Sequence, residues 1–156
     1  MSDFDKAFEL VIAQEGGYSN DSRDSGGQTK WGISKTAYPD VDIYNLTLEQ
    51  AKAIYKRDYW DAVKGDELPY PMNIFVFDSA VNQGVAPAIK MLQKAVSVAQ
   101  DGILGRDTLF AVKRKFGKEI LALYMAERAM RYTGTRSFDV FGRGWLKRLF
   151  AVSMEV

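Results

Sequence analysis

The chain reads as a mostly α-helical domain with one short irregular or β segment near residues 18–46. Three observations predict this. Apolar residues recur at helical spacing through most of the 156 residues. Capping residues, glycines and prolines interrupt those runs at helix-length intervals. Only residues 18–46 lack the period: the stretch is polar, Gly-rich and contains Pro39, with room for a short sheet. At this length one domain is expected, large enough to bury a core without a disulfide or metal.

Taken in order, Phe4, Ala7, Phe8, Val11 and Ile12 share one face of a first helix ending near Glu15, with Gly16-Gly17 as its stop. Thr47 followed by Gln50 forms a capping box that opens a helix through about Ala62. "KGDELPYP" connects it to Pro71–Asn82, which is almost wholly apolar and so predicts a buried central helix stopped by Gly84. "APAIKMLQKAVSVA" is amphipathic with Pro87 in its first turn. After the turn "QDGILG", Asp107 caps a helix to Phe116, and Gly117 breaks it. Lys118 to about Thr133 is the next helix. A last one, near Arg143 to Met154, sets Trp145, Leu146, Leu149 and Phe150 against Arg143, Lys147 and Arg148. Trp60 reads as core.

Composition narrows the chemistry. There is no cysteine and no histidine. That excludes Cys–His and Ser–His–Asp nucleophile systems and His- or Cys-ligated zinc, and leaves carboxylates as the leading proton-transfer groups. No metal and no cofactor is expected. The net charge of +1 hides an asymmetry: residues 1–78 carry 8 Lys/Arg and 14 Asp/Glu, residues 79–156 carry 13 and 6. A basic half suits a polyanionic neighbour such as nucleic acid, anionic lipid or an acidic wall polymer, or is simply a solvated face. The acidic "MSDFDKAFEL" lacks a basic n-region, so a cleaved signal peptide is not expected. No apolar run approaches the roughly 20 residues of a spanning helix.

Glu15 is the residue that local structure explains least. A carboxylate at a helix C-terminus faces the negative end of the macrodipole, which favours its protonated form; Lys or Arg would suit the position better. Phe8 and Trp31 are candidates to desolvate it. A carboxylic acid kept neutral is what protonation of a leaving glycosidic oxygen requires. Asp21 and Asp24 follow in the loop as candidates for a second carboxylate.

The stretch "EGGYSNDSRDSGGQTKWGIS" resembles the N-terminal signature of glycosyl hydrolase family 108, N-acetylmuramidases of the bacteriophage endolysin type. The pattern is E-G-G-Y-x-N-D-x-x-D-x-G-G-x-T-x-x-G-I. Glu15, Gly16, Gly17, Tyr18, Asn20, Asp21, Asp24, Gly26, Gly27, Thr29, Gly32 and Ile33 match it. Many members have proline where this chain has Ser22 and Ser25. "FDSAVNQG" looks like the family's central-helix D-x-x-V-N-x-G, and "QDGILGRDTLFAV" is similar to the D-G-x-x-G-x-x-T segment of its peptidoglycan-binding region. The resemblance spans about residues 5–130.

It implies a lysozyme-like, mostly α fold forming a single domain over 1–156, with 1–84 as a catalytic lobe and 85–156 as a peptidoglycan-binding-like helical lobe. It implies cleavage of the β-1,4 bond between N-acetylmuramic acid and N-acetylglucosamine. Glu15 takes the place of the catalytic acid. Asp24 and Thr29 take those of the water-holding pair, although Thr29 falls one residue short of the phage-lysozyme spacing. The expected outcome is inversion, which needs carboxyls roughly 6.5–9.5 Å apart. A lytic transglycosylase, a family 19-like chitinase and a non-catalytic wall-binding or secretion-activating protein are the rivals.

Around that site, Tyr18 and Trp31 are candidates to stack on sugar faces, and Asn82 and Gln83 to bind acetamido groups. Asp101, Gly102, Gly105 and Thr108 form either a wall-binding turn or a structural one. The helix bearing Trp145, Lys147 and Arg148 either touches lipid or closes a core. The expected partners are peptidoglycan and an anionic wall or membrane surface reached through the basic half, not nucleic acid, with the protein a monomer. Without an export signal, it is made in the bacterial cytoplasm and reaches the wall once the membrane is breached.

Overall fold

The computed structural model describes residues 1–15, 17–20 and 27–156. Among them are seven α-helices and one two-stranded antiparallel sheet, the mostly α architecture expected. Helix α1 (Asp3–Gln14) opens on a capping box between Ser2 and Asp5 and buries Phe4, Ala7, Phe8 and Val11. Strands β1 (Thr29–Lys30) and β2 (Ile33–Ser34) pair Thr29 with Ser34 and Lys30 with Ile33. Ser19 and Thr29 exchange both backbone hydrogen bonds, at 2.8 Å each, which ties the stretch after α1 to β1. The remaining helices are α2 (Leu48–Tyr55), α3 (Met72–Gln83), α4 (Val85–Ala95), α5 (Arg106–Lys115), α6 (Lys118–Thr133) and α7 (Phe138–Met154).

The core surrounds α3. Phe77 meets Phe4, Tyr55 and Trp60 with ring centroids 5.9, 6.4 and 5.6 Å away, distances at which aromatic edges and faces attract beyond simple burial. Trp60 is fully buried, and its indole N–H donates to Asp66 at 2.9 Å. α1 and α4 pack on α3, and α6 joins α4 to α7.

α1 ends at Gln14 with Glu15 as its cap, as the sequence indicates, and Glu15 is already extended (φ −92°, ψ 142°). Three boundaries differ from the sequence reading, each for a physical reason. The helix opened by Thr47 and Gln50 does not run regularly to Ala62. After Tyr55 it widens into one π-helical turn, Lys56–Trp60, with Asp61 N–H bonding Lys56 C=O at 2.8 Å. That i→i+5 spacing brings Tyr55 and Trp60, five residues apart, to the same side against Phe77. Asp107 is not a cap: α5 opens on Gly105, with no side-chain cap bond. Finally, α7 begins at Phe138, five residues earlier than expected. Gly142 lies inside it because a Cβ there would sit 2.6 Å from the Phe138 ring. This glycine is a seat for an aromatic ring.

Candidate active site

Glu15 caps α1. Its N–H bonds Ile12 C=O at 3.1 Å, and its extended backbone turns the side chain away from the helix axis. The Glu15 side chain is 26% exposed, so it is reachable from solvent yet mostly enclosed. One wall is the β1–β2 turn. Gly32 has φ +76°, and a Cβ there would lie 2.3 Å from the Tyr55 hydroxyl and 3.1 Å from the Glu15 side-chain carbons. Only glycine fits both the backbone and the space. The Tyr55 hydroxyl donates to the Trp31 carbonyl at 3.0 Å and so pins the turn over the acid. Burial, then the Glu15 charge, push that hydroxyl well above its ordinary range, so it remains a neutral donor.

The turn makes a firm prediction. Gly32→Ala adds a clash and a strained backbone at once, so the hydrolytic rate should fall about a hundredfold, the scale expected for misplacing a reacting group by an ångström. Initial rates on purified substrate check this. Wild-type rates would mean that the turn is not part of the site.

The other wall is electrostatic. Arg148, from α7, places Nη1 3.3 Å from Glu15 Oε1. Its Nε and Nη2 lie 3.0 and 2.8 Å from Asp78 Oδ1. Asp78, inside α3, is 1% exposed, and its Oδ2 accepts from Arg128 Nη2 at 2.8 Å. Arg128, from α6, is fully buried. Burial alone disfavours both guanidinium charges; Asp78 in each case, and Glu15 for Arg148, more than offset it and raise both pKa values. Glu15 therefore meets two opposing fields, the carbonyl end of α1 and the Arg148 cation. The helix end was the only one visible in sequence.

The expected site residues are distributed as follows. Thr29 lies in β1, in the hairpin that covers Glu15. Asp24 and Asp21 lie outside the described residues. Tyr18 is exposed and meets Tyr44 edge-on at 5.5 Å. Trp31 is half-buried against the core, and its buried indole N–H has no partner among the described residues. The Asn82 side-chain oxygen accepts from the Tyr132 hydroxyl. Gln83 accepts from Arg128 Nε at 3.4 Å and from the Ser79 hydroxyl at 3.3 Å. Both amides are thus tied to the arginine network behind Glu15.

The 101–108 turn is organised from within. Buried Gln93 donates to Asp101 at 2.7 Å, Ile103 C=O at 3.0 Å and Thr108 at 3.2 Å, and accepts from Gly102 N–H at 2.9 Å. Gly102 has φ +77°, while Gly105 serves as the cap of α5.

The sequence reading set Arg148 on the basic face of the last helix, opposite its apolar residues. It is instead buried, while Phe150, expected opposite it, is 62% exposed. Asp78, Arg128 and Tyr55 were not singled out either. Two signals for Asp78 were present: it is the aspartate of the D-x-x-V-N-x-G match, and it is the only charged residue between Pro71 and Asn82, where a lone acid in a buried run requires a partner. Concavity alone would mislead. A pocket of about 480 Å³ lined by Val41, Asp42, Leu46, Gln50 and Ile54 does not touch Glu15. Its carboxylate, Asp42, is already bonded to Asn45 at 2.7 Å.

No curated protein matches the chain. The solved structure of Brucella abortus SagA is similar, at 36% sequence identity over 97% of this chain and 92% of that one, with a TM-score of 0.87. That similarity extends over nearly the whole chain. The family model described as Glycosyl hydrolase 108 matches residues 8–84, the span that contains Glu15, Gly32, Tyr55 and Asp78. A partly enclosed acid at a helix end, backed by a buried cation, lies within that matched span, and the chain belongs to glycosyl hydrolase family 108.

Proposed function

We propose that this hydrolase cleaves the β-1,4 bond between N-acetylmuramic acid and N-acetylglucosamine in peptidoglycan, with Glu15 as the general acid. The observation that carries the reading is the Glu15 carboxyl itself. It is partly exposed, covered by the Gly32 turn and faced by a single Arg148 N–H. Glu15 gives its proton to the glycosidic oxygen as the bond to the anomeric carbon breaks. The carboxylate left behind accepts the Arg148 hydrogen bond, so the charge that develops meets a cation already in place. Asp24 and Thr29 hold the water, and Asp24 takes its proton as the oxygen adds to the opposite face of the sugar, which inverts the anomeric carbon. Tyr18, with its exposed ring, and Trp31 present apolar faces to the sugars.

Reducing-end and mass analysis of digested peptidoglycan tests this. A muramic-acid reducing end is the expected product. An anhydro end, lighter by one water, would overturn hydrolysis in favour of intramolecular attack by the muramic-acid 6-hydroxyl.

The basic half supplies attraction to the anionic wall. Lys113, Arg114 and Lys115 are exposed at the end of α5. Such charges lose reach as the screening length shrinks to about 10 Å at 0.1 M salt. Neutralising all three should raise the apparent KM for wall suspensions at low salt and flatten its salt dependence, with kcat little changed. Wild type and triple variant are compared on one wall preparation. Identical salt profiles and affinities would reduce the cluster to a solvated face.

A further inference from the structure

The charges behind Glu15 have a feature that the general-acid reading leaves unused. A guanidinium facing a free carboxylate ordinarily forms a two-pronged ion pair with N···O distances of about 2.7–2.9 Å. Arg148 does not do this with Glu15. Two of its three nitrogens are held by Asp78 at 3.0 and 2.8 Å, and one, Nη1, reaches Glu15 at 3.3 Å. Asp78 is well placed to win that competition. It sits inside α3, is 1% exposed and has its second oxygen fixed by Arg128, so it does not swing. Arg128 is held in turn through Nε by Gln83. The four charged groups come from α1, α3, α6 and α7 and alternate in sign.

We propose that Asp78 is a positioning residue for the reaction. By holding Nε and Nη2, it keeps the Arg148 guanidinium turned so that a single long N–H points at Glu15. Arg148 then steadies the carboxylate that forms without closing a two-pronged grip on the acid beforehand. Arg128 is the brace that keeps Asp78 in place. This inference rests on Glu15 being the general acid. A purely structural buried ion pair makes a different prediction: any change at Asp78 would alter stability, and activity would follow the folded fraction.

The experiment measures kcat and KM on soluble peptidoglycan oligosaccharides for wild type, Asp78→Asn, Asp78→Glu and Glu15→Gln, with rates normalised to the folded fraction by circular dichroism. Asp78→Asn releases Arg148 to Glu15, so kcat should fall about tenfold or more while KM stays within about twofold. Asp78→Glu keeps both arginines paired but moves the carboxylate by one methylene. It should recover melting temperature yet retain a low kcat. A folded Asp78→Asn with wild-type kcat, or an Asp78→Glu that restores kcat along with stability, overturns the proposal. If Asp78→Asn does not fold, Asp78→Glu decides alone. The Glu15→Gln arm separates the two readings. Full activity there removes the general acid and this inference together. An inactive Glu15→Gln beside fully active Asp78 variants removes only the positioning role.

Discussion

Glu15→Gln should abolish hydrolysis and leave the fold standing. Removing the acid should lower kcat by at least the hundredfold or so that general acid catalysis supplies. Glutamine is nearly isosteric, and its amide oxygen can still accept from Arg148. Arg148 also keeps both contacts to Asp78, so no buried cation is left without an anion. The loss of a partly exposed ion pair is opposed by relief of the carboxylate at the end of α1, and the melting temperature should stay within about 3 °C of wild type. Rates on purified peptidoglycan, with circular dichroism on the same sample, check both halves. A folded variant that still releases reducing ends at the wild-type rate would remove Glu15 from the chemistry.

The largest stability effect is expected at Arg128→Met. Arg128 is fully buried and bonds Asp78 at 2.8 Å. Methionine fills much of the space but leaves a buried carboxylate with one cation in place of two. Breaking a buried pair from one side costs about 3–5 kcal/mol, because the remaining charge is left without its partner. At this chain length that corresponds to a fall in melting temperature on the order of 10 °C. Lys94→Ala is the control. Lys94 pairs with Glu127 at 2.7 Å but is half-exposed, and such pairs contribute about 1 kcal/mol or less. Urea denaturation of the two variants side by side is the measurement. If Arg128→Met costs no more than Lys94→Ala, the buried network is not a stabilising element.

Local signals in the sequence determined much of this protein. The capping box at Thr47 and Gln50, the apolar run that became α3, the Gly84 stop and the bounds of α6 all depend on neighbours within a few residues, and short-range period and capping chemistry report those directly. Glu15 was legible for the same reason: an acid at a helix end conflicts with its own backbone. Tertiary structure alone decided the rest. The π turn after Tyr55 exists because Trp60 must reach Phe77, seventeen residues further along the chain.

Arg148 is the clearest case. Periodicity sorts residues into polar and apolar faces, so a guanidinium counts toward solvent. Its burial depends on Asp78, 70 residues away, and Glu15, 133 residues away, and no window short enough to show a period contains either. A charge moves inside only where an opposite charge is already held there, and that condition is set by how α1, α3, α6 and α7 pack together.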